Sequence, residues 1–254
     1  MRGQRVEVAP WNGPFEPFAA AAIIVIRATW DYHQAPEAYL EWLERLDPAR
    51  TYNRPSLVRW NLSKAHVLEL GALGVPVPRS LEIAAQPTEL ADALKQLELR
   101  EAVIKPLIGA SGAGVERVVR GDEAAALARS LAAKKTSRLL VQELLPGIEH
   151  GELAGVFFDG RFSHGLRRVP APGEFRVNSQ YGGRMDAADI PPAIVRDMAA
   201  VLALLPDQPL YARIDGLVCE GQLTLIEVEV NEPGLGLDVV DGAADRFAEA
   251  ILRR

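Results

Sequence analysis

The chain has 254 residues, 48% of them hydrophobic and 24% charged, and a formal net charge of −6. That is enough for a packed core, as one domain or as two or three small lobes. The acidic balance argues against the broad basic surface that nucleic acid or an anionic membrane requires, while leaving room for a local basic pocket. The longest apolar run ends at Arg27, well short of the roughly 20 residues that span a bilayer. The single cysteine, Cys219, permits no intrachain disulfide, which fits a cytoplasmic setting.

In chain order, Arg5–Ala9 and Ala22–Arg27 read as buried strands, the second with the β-branched run Ile23-Ile24-Val25-Ile26 of a parallel sheet covered on both faces. Pro36–Leu46 has helical spacing, and Asn53-Arg54-Pro55 marks a break. Asn61–Leu73 is expected to be one helix. A strand (Arg79–Ile83), a helix (Thr88–Leu97), strands at Ala102–Lys105 and Val115–Val119, a helix (Glu123–Ala133) and a strand (Leu139–Glu143) follow. The last part reads as a hairpin of Leu153–Phe158 with Arg161–Val169 around Asp159-Gly160, a helix (Pro191–Leu204), a hairpin of Leu210–Val218 with Leu223–Val230, and a closing helix (Ala243–Leu252). Helices and strands alternate early and antiparallel hairpins come late, so the expected class is mixed α/β with α+β lobes.

Lys105-Pro106 ends a strand and is followed by Gly109-Ala110-Ser111-Gly112-Ala113-Gly114. Glycines let backbone N–H groups approach phosphate oxygens and the ammonium neutralises charge. The order is neither a Walker A loop nor a Rossmann fingerprint, and a flexible surface hairpin is the plain alternative. In the Leu210–Val230 hairpin, Arg213, Asp215, Glu227, Glu229 and Asn231 are all odd-numbered, so each strand turns its polar set to one face. A two-residue loop would put the two sets on opposite faces. An odd loop or a bulge would place Asp215 opposite Glu227 and Arg213 opposite Glu229. Opposed carboxylates repel, and a magnesium ion would relieve that. The alternative is a solvated outer face. Arg167-Arg168 and the Gly173–Asn178 segment with Arg176 offer guanidinium groups that suit phosphate or carboxylate. Arg27, Thr29 and Asp31 follow a buried strand, where open α/β sheets bind ligands. His33, His66, His150 and His164 show no metal spacing.

Taken in order, Lys64, Lys105 with its glycine loop, Gln142-Glu143-Leu144-Leu145, Phe175–Asn178, Arg213-Ile214-Asp215 and Glu229-Val230-Asn231-Glu232-Pro233-Gly234 resemble the ATP-grasp superfamily. The resemblance is to the branch of glutathione synthetase and the ribosomal-protein glutamate ligase, and most of all to the O-ureido-serine cyclo-ligase group. It implies an ATP-grasp fold with a shortened N-terminal substrate lobe (1–58), an ATP-grasp N-lobe (59–142) and a C-lobe with the metal site (143–254). It implies that Lys64, Lys105, Gly109, Ser111, Gly112, Gly114, Gln142, Glu143, Leu144 and Leu145 hold ATP, that Asp215, Glu229 and Asn231 ligate Mg2+ (two ions, Mn2+ as a substitute), and that Arg168, Arg176 and Arg213 serve catalysis. Arg27, Thr29, Asp31 and Asn178 would meet substrate. The implied activity is ligation of a small-molecule carboxylate to an amine through an acyl-phosphate, with no nucleic-acid or membrane partner and room for a homo-oligomer. A nucleotide-binding regulatory protein without turnover, or a structural module, remains open at this level.

Overall fold

The computed structural model describes residues 3–254. Its first unit holds α1 (Glu16–Ala20), β1 (Ile24–Val25), α2 (Pro36–Arg45) and β2 (Thr51–Tyr52), with β1 and β2 paired in parallel. The core is aromatic. Tyr39 and Trp42 stack at 5.3 Å, and Trp11 meets Tyr39 edge-on at 5.1 Å. Each such ring contributes roughly 1.5–3 kcal/mol by burial. The expected strand at Arg5–Ala9 does not form: Val6 and Val8 are 83% and 93% exposed, and the segment pairs with no strand among the described residues. Alternation alone cannot make a strand where no edge is offered. The parallel pairing expected near Ile23–Ile26 is present but only two residues long, and Ile23 faces solvent.

The single helix expected over 61–73 is two helices, α3 (Pro55–Leu62) and α4 (His66–Ala72). Pro55 opens α3 at its first turn, where its missing N–H costs nothing. Ser63 bridges to Ile108, and the Lys64 N–H donates to the Leu107 carbonyl at 2.8 Å. That long-range tie interrupts the helix and delivers Lys64 to the cleft.

Next come β3 (Ser80–Ala84), α5 (Pro87–Gln96), β4 (Glu101–Pro106), β5 (Glu116–Val119), α6 (Glu123–Ala133) and β6 (Arg138–Glu143). They form an antiparallel sheet in the order β3-β6-β4-β5. Alternation splits its faces: Ala102, Ile104, Leu139 and Val141 pack under α5 and α6, while Val103, Lys105 and Gln142 look into a cleft.

The last unit comprises β7 (Glu152–Phe158), β8 (Arg161–Val169), β9 (Arg184–Ala188), α7 (Pro192–Ala203), β10 (Tyr211–Cys219), β11 (Gln222–Glu229) and α8 (Ala243–Leu252). Its antiparallel sheet has the order β11-β10-β7-β8-β9. One face packs on α7, α3 and α4 through Phe157, Ile214, Leu225, Val228, Met198, Leu57 and Leu70. The other face is apolar where Val156, Phe158, Leu166 and Tyr211 meet Phe247 of α8. Beyond that patch the same face turns charged, and it looks across the cleft at the four-stranded sheet. The mixed α/β class expected from the alternation of elements is the observed one.

Candidate active site

The β10–β11 hairpin turns in two residues, Glu220 and Gly221, since Cys219 pairs with Gln222. Such a loop alone would set odd positions against even ones. A bulge corrects this: Asp215 pairs with Glu227 but Gly216 pairs with Leu225, so Ile226 is extra. Glycine is needed at 216, because a Cβ there would lie 2.4 Å from the Thr224 carbonyl oxygen. Arg213 consequently faces Glu229 and Asp215 faces Glu227, the register expected for a loop with a bulge. Carboxylate oxygens of Asp215, Glu227 and Glu229 lie within 4.8 Å of one another.

The charges around this group are balanced by cations. Arg213, 3% exposed, donates to Asp215 at 2.8 Å and to Glu229 at 2.6 Å. Arg168 donates to Asp215 and to Glu152, each at 2.7 Å. Lys64 pairs with Glu227. Burial pushes the Glu152 carboxyl up to about 7 against the pull of Arg168, and it raises Glu229, with Glu227 and Asp215 adding to the shift despite Arg213. Burial also works to raise Glu227, but Lys64 and Lys105 hold it below the usual carboxylate range. A converging set of hard oxygen donors that repel one another suits Mg2+, and Asp215, Glu227 and Glu229 are the residues that would hold it.

The Asn231 side chain is held from the side of the first unit. β11 ends at Glu229, and the chain there is captured by Asn61, which donates to the Val228 carbonyl at 2.7 Å and accepts from the Val230 N–H at 2.9 Å. The Asn231 carboxamide oxygen accepts from the Tyr39 hydroxyl at 2.6 Å and lies 3.1 Å from that of Thr29. Its amide nitrogen is buried with no hydrogen-bond partner.

Lys105 reaches the cleft from the end of β4 and donates to Gln142 at 2.7 Å; burial lowers its pKa. The glycine loop after it is clasped from both sides. Tyr32 donates to the Gly109 carbonyl at 3.4 Å from the first unit, and Gln180 and Tyr181 reach the Ser111 and Gly112 carbonyls from the opposite side. Gly112 has φ +71°, and a Cβ would lie 2.8 Å from the Asn178 carboxamide oxygen, so glycine is required twice over. Ser111 also adopts a positive φ, 57°. Ser130 fastens the far end by donating to the Gly114 carbonyl at 2.6 Å.

Gln142, Glu143, Leu144 and Leu145 line the cleft between the sheets. The Glu143 carboxylate is held by the Arg79 fork at 2.7 and 3.0 Å, which keeps its pKa down. Arg176 lines the cleft over the Tyr181 ring at 3.7 Å and pairs with Glu174 at 2.7 Å; its guanidinium holds Glu174 down to about 2.

Arg27 and Thr29 work at the junction of the first and last units. Arg27 donates to the Pro233 carbonyl at 2.8 Å, and Thr29 shares the Asn231 oxygen with Tyr39. Asp31 accepts from the Trp11 indole at 2.7 Å. These bonds fix the 231–233 turn and the first unit's own core. The cleft itself has a volume of about 470 Å³, within the range of small-molecule sites.

The ligand set that the resemblance implies leaves out Glu227, which stands in the odd-numbered set opposite Asp215. Its signal was available, since it shares a strand face with Glu229. Glu152 and Trp30 carry no local signal, and Glu232 carries only its place in the 229–234 motif; they enter the site because β7 pairs with β10 and the first unit folds onto residues 231–233.

Residues 76–242 match the family described as the prokaryotic glutathione synthetase ATP-grasp domain, and residues 1–53 match the N-terminal domain of D-cycloserine synthetase DcsG. The chain is 29% identical to the cycloserine biosynthesis protein DcsG of Streptomyces lavendulae, over 99% of this chain and 89% of that one. It is 28% identical to a glutathione synthetase of Prochlorococcus marinus, over 86% and 73%. The crystal structure of D-cycloserine synthetase DcsG superposes with a TM-score of 0.86 at 28% identity, covering 99% of this chain and 90% of that one. ATP-grasp ligases use ATP with Mg2+ and act on small-molecule or peptide substrates, and no helix among the described residues is long and apolar enough to cross a membrane. The chain belongs to the ATP-grasp family, in the branch of the prokaryotic glutathione synthetase ATP-grasp domain, and is an ATP-dependent ligase of the C–N bond-forming class.

Proposed function

We propose that this enzyme activates a substrate carboxylate as an acyl-phosphate and joins it to an amine of an amino-acid or peptide-like substrate. The observation that supports it is the convergence of Asp215, Glu227 and Glu229 within 4.8 Å in a cleft that also holds Lys64, Lys105 and the glycine loop. ATP supplies the phosphoryl group and Mg2+ supplies charge neutralisation for its oxygens. Lys105 and the 109–114 backbone hold the phosphates, and Gln142–Leu145 wall the base. Arg213, Arg168 and Arg176 stabilise charge on the carboxylate and the departing phosphate. A carboxylate oxygen bonds to the γ-phosphorus as ADP leaves. The amine nitrogen then bonds to the acyl carbon, releasing phosphate and a proton. The protein's share is positioning and fixed charge rather than covalent chemistry.

The match of residues 1–53 to the DcsG N-terminal domain favours a second reading in which the carboxylate and amine belong to one molecule. Incubation with ATP, Mg2+ and a panel of amino acids and dipeptides, followed by ADP assay and mass spectrometry, tests both. A product weighing one substrate minus water supports cyclisation, and two substrates minus water supports intermolecular joining. ATP binding with no ADP formation from any panel member contradicts the ligase reading.

A further inference from the structure

Five glutamates line the cleft: Glu143, Glu152, Glu227, Glu229 and Glu232. Four have a cation in contact, namely Arg79, Arg168, Lys64 and Arg213 respectively. Among the described residues, no hydrogen bond or ion pair reaches the carboxylate of Glu232. It also stands outside the group of acids that converge on the ion position.

Its backbone, by contrast, is firmly held. The Trp30 indole donates to the Glu232 carbonyl at 2.8 Å, Arg27 holds the next carbonyl, and Tyr39 holds the preceding side chain. Trp30 lines the cleft and is 52% exposed, and buried Tyr32 lines it too. Burial, with Glu229 and Glu227 nearby, pushes the Glu232 carboxyl up to about 8, and a carboxyl with no partner, on a held backbone bonded to an exposed tryptophan, is a site for a ligand's cation, which would favour its charged form. Lys64, Arg168 and Arg213 are each held by another carboxylate and Lys105 by Gln142, which leaves a cation carried by the ligand to meet Glu232.

We propose that Glu232, with Trp30 at its side, binds the ammonium group of the substrate and so selects amino-acid-type substrates over their amine-free analogues. The assignment rests on the ligase reading above and adds a specificity-determining residue to it.

The test uses the full-length protein with ATP, Mg2+ and a panel of free amino acids and dipeptides, each beside the analogue in which hydrogen or hydroxyl replaces the amine. The wild type forms ADP only with ammonium-bearing members. In Glu232→Gln, kcat/KM for the best of them falls by about tenfold or more, chiefly through KM, while thermal stabilisation by ATP with Mg2+ stays at the wild-type value. Glu232→Asp, which keeps the charge on a shorter stem, falls between the two and carries the test should the Gln variant not fold. Unchanged kcat/KM in Glu232→Gln, equal turnover of amine-free analogues by the wild type, or loss of ATP–Mg2+ stabilisation in the variant would each overturn the assignment, the last by placing Glu232 in the metal site. Silence of the wild type towards the whole panel overturns the ligase reading itself, and the assignment with it.

Discussion

Asp215 stands directly opposite Glu227 across the β10–β11 ladder, and one bulge after Asp215 is what sets them face to face. Like charges so placed destabilise a sheet; Arg213, Arg168 and Lys64 offset them, and the three acids stay close enough together to share one ion. Glu227→Gln and Asp215→Asn are each expected to lower ADP formation about 100-fold or more, from loss of charge stabilisation at the phosphates. Asn231→Ala should behave differently. It removes the acceptor of the Thr29 and Tyr39 hydroxyls, so it costs about 1–3 kcal/mol of stability while the Mg2+ dependence of turnover stays near wild type. Denaturant unfolding and Mg2+ titrations of ADP release separate the two classes of variant.

Gly112→Ala tests the clasp on the glycine loop. The substitution strains a backbone at φ +71° and drives a methyl into Asn178 and Tyr181. A left-handed non-glycine residue costs on the order of 1–3 kcal/mol. Gly112 lines the cleft and belongs to none of the packed cores, so the cost should appear as a rise of about tenfold in the KM for ATP, with the melting temperature little changed. Steady-state kinetics at varied ATP, with a thermal melt of the same variant, checks this.

His66 gives a pH dependence of stability. Its Nδ1 donates to the Ser63 carbonyl at 2.8 Å and its Nε2 accepts from the Val228 N–H at 3.4 Å. The Nε2 role requires the neutral ring, and burial pushes the pKa down to about 4. The unfolded chain binds the proton near 6.5, so the stabilisation is complete above about pH 6.5 and is lost as pH falls towards about 4, by up to roughly 3 kcal/mol. Unfolding free energies measured between those pH values should show this slope in the wild type and a flatter one in His66→Gln.

The charged face of the hairpin is legible in the sequence because Arg213, Asp215, Glu227 and Glu229 all fall on odd positions, and a strand has period two. The need for a bulge follows from the same counting once the turn is two residues long. What lies beyond the strand end is not legible there. Asn61, far away in sequence, stops β11 by bonding Val228 and Val230, and Asn53 does the same for Tyr211 and Val230. Those two amides decide that Asn231 turns towards Tyr39. The break at Ser63 is likewise set by Leu107 and Ile108, so helical spacing over 61–73 could not reveal it. Arg5–Ala9 shows the converse case, a strand-like pattern with no edge to join. Local periodicity reports faces; long-range hydrogen bonds decide where those faces end.

The central claim, that Asp215, Glu227 and Glu229 hold the ion through which nucleotide binds, is met most directly by calorimetric titration of ATP into the wild type and into Glu227→Gln, with Mg2+ and with EDTA. The account predicts tight binding only for wild type with Mg2+, weakened by about tenfold or more in the variant and in EDTA alike. Equal ATP affinity in all four titrations would contradict it.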